Sequence, residues 1–155
     1  MEPLIRPALA GDRDAWARLR HALWPEEELA AHRAEVAEAL AVSTSEAVNL
    51  VALVNGAMVG FAEAALRHDY VNGCETSPVA FLEGIYVDPA HRATGVARAL
   101  CAAVEAWSAG LGCTEFASDA LLENTASHAF HTAVGFAETE RVVYFRKAIT
   151  PAPSG

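Results

Sequence analysis

Long apolar runs are missing from this sequence. Apolar residues make up 53% of its 155 residues, yet no segment reaches the length of a membrane span. The N-terminus carries an acidic residue and lacks the charged-then-apolar pattern of a secretory signal. A soluble, cytoplasmic protein with no membrane partner is the expectation. Cysteine is scarce. Cys74, Cys101 and Cys113 are an odd number with no Cys-x-x-Cys spacing, which argues for reduced thiols and against a disulfide framework or a zinc site. No metal is expected. Basic residues are few as well: 11 Lys and Arg stand against 20 Asp and Glu, a net charge of −9. Such a field repels nucleic acid and favours cationic partners. No repeat, linker or low-complexity block interrupts the chain. Residues 1–149 read as one domain, long enough for a real core. The small, Pro-rich stretch 150–155 reads as a disordered tail.

What is present alternates between helical and strand patterns. Residues 4–8 suit a first strand, cut short by Pro7. Asp12 or Asp14 can cap a helix carrying Trp16, Leu19 and Leu23, which Trp24-Pro25 breaks. Residues 26–40 read as a second helix with acids in its first turn, where they suit the positive end of the dipole. Residues 47–54 and 57–66 are two apolar strands joined by Asn55-Gly56, a type I′ hairpin signal. Residues 67–78 form a polar, turn-rich loop of the kind that often carries recognition residues. A strand over 79–87, a helix over 95–109, a short strand over 114–118 and a helix over 123–134 follow. Two last strands are expected over 136–140 and 142–148. This alternation gives an α/β domain with a mixed sheet.

The richest segment runs from Val79 to Leu100. Its near-continuous apolar run reads as a strand buried on both faces, interrupted by Glu83 and ended by Asp88-Pro89. Arg92-x-x-Gly95-x-Ala97 then opens a helix. Small residues allow close backbone approach, and free N–H groups at a helix start attract phosphate. A carboxylate in an apolar strand has its pKa raised by desolvation, which suits a general base. The alternatives for Glu83 are a buried salt bridge or a charge facing solvent.

Arg92-x-x-Gly95-x-Ala97 resembles the acetyl-CoA motif of the Gcn5-related N-acetyltransferases. Asn124-Thr-Ala-Ser127-His-Ala-Phe130-His131-x-x-x-Gly135-Phe136 resembles that family's second motif. Trp24-Pro25, the run His68-Asp-Tyr70-Val-Asn-Gly-Cys74, Phe81-Leu-Glu83-Gly-Ile85, Ala117-Ser-Asp119 and Glu138-Thr-Glu140-Arg141 are similar to the chromosomal aminoglycoside 6'-N-acetyltransferases. The resemblance covers about Ile5 to Lys147. It implies a mixed, mostly antiparallel sheet flanked by helices, whose fourth and fifth strands splay to admit acetyl-CoA. It also implies a homodimer. The cofactor would be held by the backbone of Ile85, Tyr86 and Val87, by the turn Arg92, Ala93, Thr94, Gly95, Val96, Ala97 and Arg98, and by Asn124, which also suits a helix N-cap.

For the acceptor, the resemblance implies that Glu83 contacts the amine and that Tyr70 lies beside it. Trp24 would wall the sugar pocket, with Asp119 and Glu140 supplying carboxylates; Asp69, Glu75 and Glu138 are further acids that could face a polycation. Many relatives place a tyrosine seven residues after the motif asparagine, to protonate the leaving thiolate. Here His131 stands in that position, and Tyr144 or water are the other donors. The activity implied is acetyl transfer from acetyl-CoA to the 6'-amine of an aminoglycoside. The alternatives are another cationic amine (a polyamine, a metabolite or a protein amine) or a non-catalytic acyl-CoA-binding module.

Overall fold

A computed structural model describes residues 2–154. In chain order it contains β1 (Leu4–Pro7), α1 (Arg13–Leu23), α2 (Leu29–Ala41), β2 (Ala47–Val54), β3 (Ala57–Arg67), β4 (Val79–Val87), α3 (Val96–Gly110), β5 (Phe116–Ala117) and α4 (Thr125–Ala133), with 3-10 turns at Ala10–Asp12 and Pro89–His91. The five strands form one sheet in sequence order. The β1–β2, β2–β3 and β3–β4 pairs are antiparallel and β4–β5 is parallel. Asn55 and Gly56 both take positive φ, at 52° and 79°, as the type I′ hairpin requires.

Strand alternation sorts the sheet into two faces. Leu50, Ala52, Ala62 and Leu82 point to one face, where α3 lays down Val96, Leu100 and Val104 at helical spacing. Val51 and Phe61 point to the other, against Trp16 and Ala17 of α1 and Val36 of α2. A smaller cluster of Val71, Val79 and Phe81 ties the loop after β3 to the start of β4. Cys74, Cys101 and Cys113 are free thiols. Burial pushes the Cys101 thiol up to about 11. Among the described residues no helix is long and apolar enough to cross a membrane.

Several expectations need correction. The two final strands do not form: residues 136–148 carry no regular structure, and Val143, Tyr144 and Phe145 are 73%, 82% and 91% exposed. A strand needs an edge to pair with, and β5 spans only two residues. The second helix starts at Leu29, not residue 26. Its three acids, Glu26 to Glu28, lie in the approach and at the N-cap, because the chain must first clear Pro25. The strand expected over 114–118 shrinks to Phe116–Ala117. β4 is fully buried only over Val79–Leu82 and at Val87.

Candidate active site

The register of β4 decides what it can present. Glu63 pairs with Gly84 but Ala64 pairs with Leu82, so Glu83 is an extra residue, a β-bulge. The bulge inverts the alternation. Leu82 lies in the α3-side core, and so do Ile85 and Val87 rather than Gly84 and Tyr86. The main chain inverts with it. Ala80 N–H points to β5, bonding Glu115 O at 3.2 Å, whereas Asp88 N–H points to β3, bonding Val59 O at 2.7 Å. Counting back from Asp88, the main-chain groups of Ile85 and Val87 point away from β3. β5 covers that edge only at Ala80 and Phe81. The edge at Ile85 and Val87 is therefore without a partner strand, and an extended amide-bearing arm can add to it as a strand would.

This edge runs into the turn before α3. Gly95 has φ +91°, and the space a side chain would fill there is open to 4 Å. Ala93 also has positive φ, at 60°. The first ladder bond of α3 is Ala99 N–H to Gly95 O, at 3.0 Å. The amides of Val96, Ala97 and Arg98 precede it, and such first-turn donors are free to bind an anion. The cradle thus fits a pyrophosphate by the chemistry of its donors. Arg92 and Arg98 brace it: Arg92 Nε donates to Val87 O at 2.9 Å with its guanidinium 5.3 Å from the Tyr86 ring, and Arg98 Nη2 donates to Ala133 O at 2.5 Å. Asn124 caps α4, its Oδ1 accepting from Ser127 N–H at 3.1 Å.

Of the residues expected at the acceptor, Trp24 and Glu83 meet at the bulge and Tyr70 lies on the loop that precedes β4. Trp24 packs directly on Gly84, where a Cβ would come within 2.5 Å of the ring. Only glycine fits beneath it. Glu83 differs from its expectation. The apolar flanks predict a desolvated carboxylate, but the bulge turns the side chain outward. It is 39% exposed and ion-paired to Arg67 at 3.0 Å, with the Arg67 guanidinium 3.5 Å from the Phe81 ring. Tyr70 is 74% exposed on its loop. Asp69 and Glu75, on that loop, and Asp119, just past β5, are exposed as well.

Three contacts tie these parts together. Glu115, at the start of β5, accepts from the amides of Glu75 and Thr76 at 2.9 and 2.7 Å and from the Thr76 hydroxyl. Those bonds, the Thr76 hydroxyl first, hold its carboxyl below the usual range. Gly73, at φ +82°, meets Thr139, whose Oγ1 would lie 2.2 Å from a Cβ there. That contact brings the segment bearing Glu140 to the Tyr70 loop. His131 bridges α4 to the end of β5: Nδ1 is 2.7 Å from Ser127 O and Nε2 is 2.8 Å from Ser118 Oγ. Both ring nitrogens are engaged, so any proton His131 delivers must first leave one of these bonds. Tyr144 and Glu140 are exposed on the segment after α4, and Glu138 pairs there with Arg141.

Glu115 gives a first testable result. Glu115→Ala should loosen the loop, raising amide exchange over residues 74–77 and the acceptor KM while leaving the acetyl-CoA KM unchanged. In the unaltered protein the depressed carboxyl pKa makes the same anchoring complete above the ordinary glutamate pKa. It is lost as pH falls through the depressed value.

The model of the acetyltransferase (GNAT) family matches residues 13–136. The chain belongs to that family. It is 51% identical over 150 residues to the aminoglycoside N(6')-acetyltransferase type 1 of Stenotrophomonas maltophilia, covering 97% of this chain and 96% of that protein. It is 52% identical to the protein of the same name from Serratia marcescens, over 88% and 92% of the two chains. Among solved structures, the aminoglycoside 6'-N-acetyltransferase AAC(6')-Ih of Acinetobacter baumannii superposes with a TM-score of 0.89 at 44% identity, over 96% and 100% of the two chains. AAC(6')-Iy in complex with the bisubstrate analogue CoA-S-monomethyl-acetylneamine superposes with a TM-score of 0.87 at 45% identity, over 96% and 100%.

As a GNAT fold, the chain has the expected mixed, mostly antiparallel sheet. Sequence reasoning missed three features of the site. The bulge at Glu83 left no local signal beyond the charge itself. Arg67 was passed over as a loop residue, although it lies opposite Val79, on the strand that carries Glu83. Glu63 was hidden in an apolar strand much like that of Glu83. It is the more enclosed of the two: desolvation pushes it up, against the pull of Arg20 and Trp16. Finally, Glu27, His32 and Glu35 bring ligand atoms within 4.8 Å of one another. The Arg20 guanidinium already bonds both His32 and Glu35, so the cluster is a poor fit for a cation.

Proposed function

We propose that this protein transfers the acetyl group of acetyl-CoA to the 6'-amine of aminoglycosides and so confers resistance to them. One observation carries the reading. Glu83, Gly84 beneath Trp24, and the open main-chain edge at Ile85 are consecutive on a single strand, so acceptor and thioester meet there. Relatives near half identity over nearly the whole chain bear the name of this activity, and a neighbour of the same fold holds a bisubstrate analogue joining CoA to an aminoglycoside.

The chemistry follows from the groups present. The cradle from Arg92 to Arg98 and Asn124 holds acetyl-CoA, with its pantetheine amides against Ile85 and Val87. The Ile85 amide polarises the thioester carbonyl as negative charge develops on it. Trp24 and Tyr70 flank the amino sugar, and Asp119 and Glu140 face its other ammonium groups. Glu83 takes a proton from the acceptor ammonium, directly or through one water, after Arg67 has moved aside, and the free amine attacks the thioester. The leaving thiolate takes a proton from His131, Tyr144 or water. Much of the rate comes from holding the reactants in line. Acetyl-CoA as donor and three free thiols fit a cytoplasmic site of action. The test is regiochemical: an aminoglycoside with a 6'-amine should release free coenzyme A, and its 6'-hydroxyl counterpart should not. Equal release from both would remove this acceptor.

The segment after α4 supports a homodimer. Val143, Tyr144, Phe145 and Ile149 are 73–91% exposed, in a stretch rich in β-forming residues, and β5 offers a short, unpaired outer edge. An unpaired edge and an unpaired arm on one chain satisfy each other in a two-fold pair. Phe145→Asp should shift the protein from dimer to monomer in sedimentation. A wild-type protein that sediments as a monomer at micromolar concentration would contradict the dimer.

A further inference from the structure

Trp24 is held from behind by side chains that have no part in the chemistry above. Its carbonyl lies 3.0 Å from Nε2 of His32, a fully buried ring stacked on the indole at 6.4 Å with 14° between planes. Nδ1 of the same ring is 3.4 Å from Nε of Arg20. A carbonyl can only accept and an arginine Nε can only donate, so the ring that satisfies both carries its hydrogen on Nε2. Arg20 itself lies 5.0 Å from the Trp24 ring centroid and caps Trp24 N–H with its own carbonyl at 2.8 Å. Its guanidinium is bonded to both oxygens of Glu63 and to Glu35. Glu63 also accepts from Trp16 Nε1 at 3.0 Å.

This arrangement is costly for a fold to keep. Arg20 and Glu63 are only 12% and 13% exposed, and a buried ion pair is often no more stabilising than apolar residues of the same volume. The buried core beside it is apolar, with Val36, Val51 and Phe61. Arg20 and His32 touch Trp24 directly, and Glu63 reaches it only through Arg20, which it holds in place. On its remaining sides Trp24 meets the Phe61 ring edge-on at 6.3 Å and the Gly84 backbone. We propose that Arg20, His32 and Glu63 are positioning residues that fix the plane of the Trp24 ring, and through it the orientation of the amino sugar over Glu83. The inference rests on the reading of Trp24 as a wall of the acceptor pocket.

A double-mutant cycle with tobramycin as acceptor tests it. Arg20→Lys keeps the charge but loses the fork and the Nε bond. It should lower kcat/KM for tobramycin about tenfold, as a small misplacement of a positioning group does, with the acetyl-CoA KM unchanged. Glu63→Gln keeps the shape and the Trp16 bond, and repeats the test should the lysine variant fold poorly. In a Trp24→Ala background neither substitution should lower kcat/KM further. The inference is overturned if the loss persists undiminished in that background, if the acetyl-CoA KM rises in parallel, or if both single variants keep wild-type kcat/KM. A Trp24→Ala protein with unchanged kcat/KM would instead remove Trp24 from the acceptor pocket, and the inference with it. A wild-type protein that turns over no tobramycin overturns the acceptor reading before any variant is made.

Discussion

Glu83→Gln lowers kcat/KM for an aminoglycoside by about 10²-fold or more at neutral pH, the usual contribution of a positioned base, and leaves the acetyl-CoA KM unchanged. Glutamine keeps the length and hydrogen-bonding reach of the side chain but cannot take a proton. Glu83 is an exposed carboxylate on a bulge, so its role depends on placement, next to the Ile85 edge, and not on desolvation. Arg67 covers it in the free protein. An exposed pair of this kind is worth about 0.2–1 kcal/mol, so an incoming polycation displaces it at a cost of no more than about fivefold in affinity. Arg67→Gln should accordingly change the acceptor KM only modestly, in steady-state assays that separate the two substrates. A Glu83→Gln enzyme with wild-type turnover would remove the base.

Gly95→Val raises the acetyl-CoA KM by about tenfold or more. Two effects act in the same direction. The backbone at φ +91° costs a β-branched residue about 1–3 kcal/mol, and the new side chain fills the open space through which an anion reaches the first amides of α3. One hydrogen bond to a charged group is worth about 1.5–3 kcal/mol, so losing even one accounts for the tenfold. The acceptor KM should stay near its original value, because Trp24 and Glu83 lie on the other side of Ile85. Initial rates at varied acetyl-CoA give the answer. An unchanged KM in a folded variant would mean that the cradle holds something else.

These two sites were legible in the sequence to different degrees. The cradle is a local feature. Gly95, the small residues around it and the strand before it lie within twenty residues, and each constrains the backbone directly. The hairpin at Asn55-Gly56 was legible for the same reason. The acceptor side is assembled from residues far apart: Trp24 meets Gly84, Glu115 holds residues 75 and 76, and Thr139 meets Gly73. The resemblance grouped Trp24, Tyr70, Glu83, Asp119 and Glu140 in advance, but Glu115 carried no signal. Glu83 and Glu63 look alike as sequence, each a lone acid in an apolar strand. Glu63 faces α1 by the ordinary alternation of β3, whereas a single extra residue in β4 turns Glu83 outward, and a pattern of period two carries no mark of it. The last strands failed for a further reason: their residues favour β-structure, but the neighbouring edge, β5, is only two residues long.

The central claim is that an acetyl-CoA edge and a pocket for a polycationic sugar meet at Ile85. The most direct measurement is free-thiol release by the purified protein from acetyl-CoA, across a panel of amines at matched concentration. The account predicts that kanamycin and tobramycin turn over far faster than spermidine or a basic peptide, each giving a single product acetylated at the 6' position. Turnover of spermidine or the peptide at the same rate as the aminoglycosides, or acetylation elsewhere on the sugar, would contradict it.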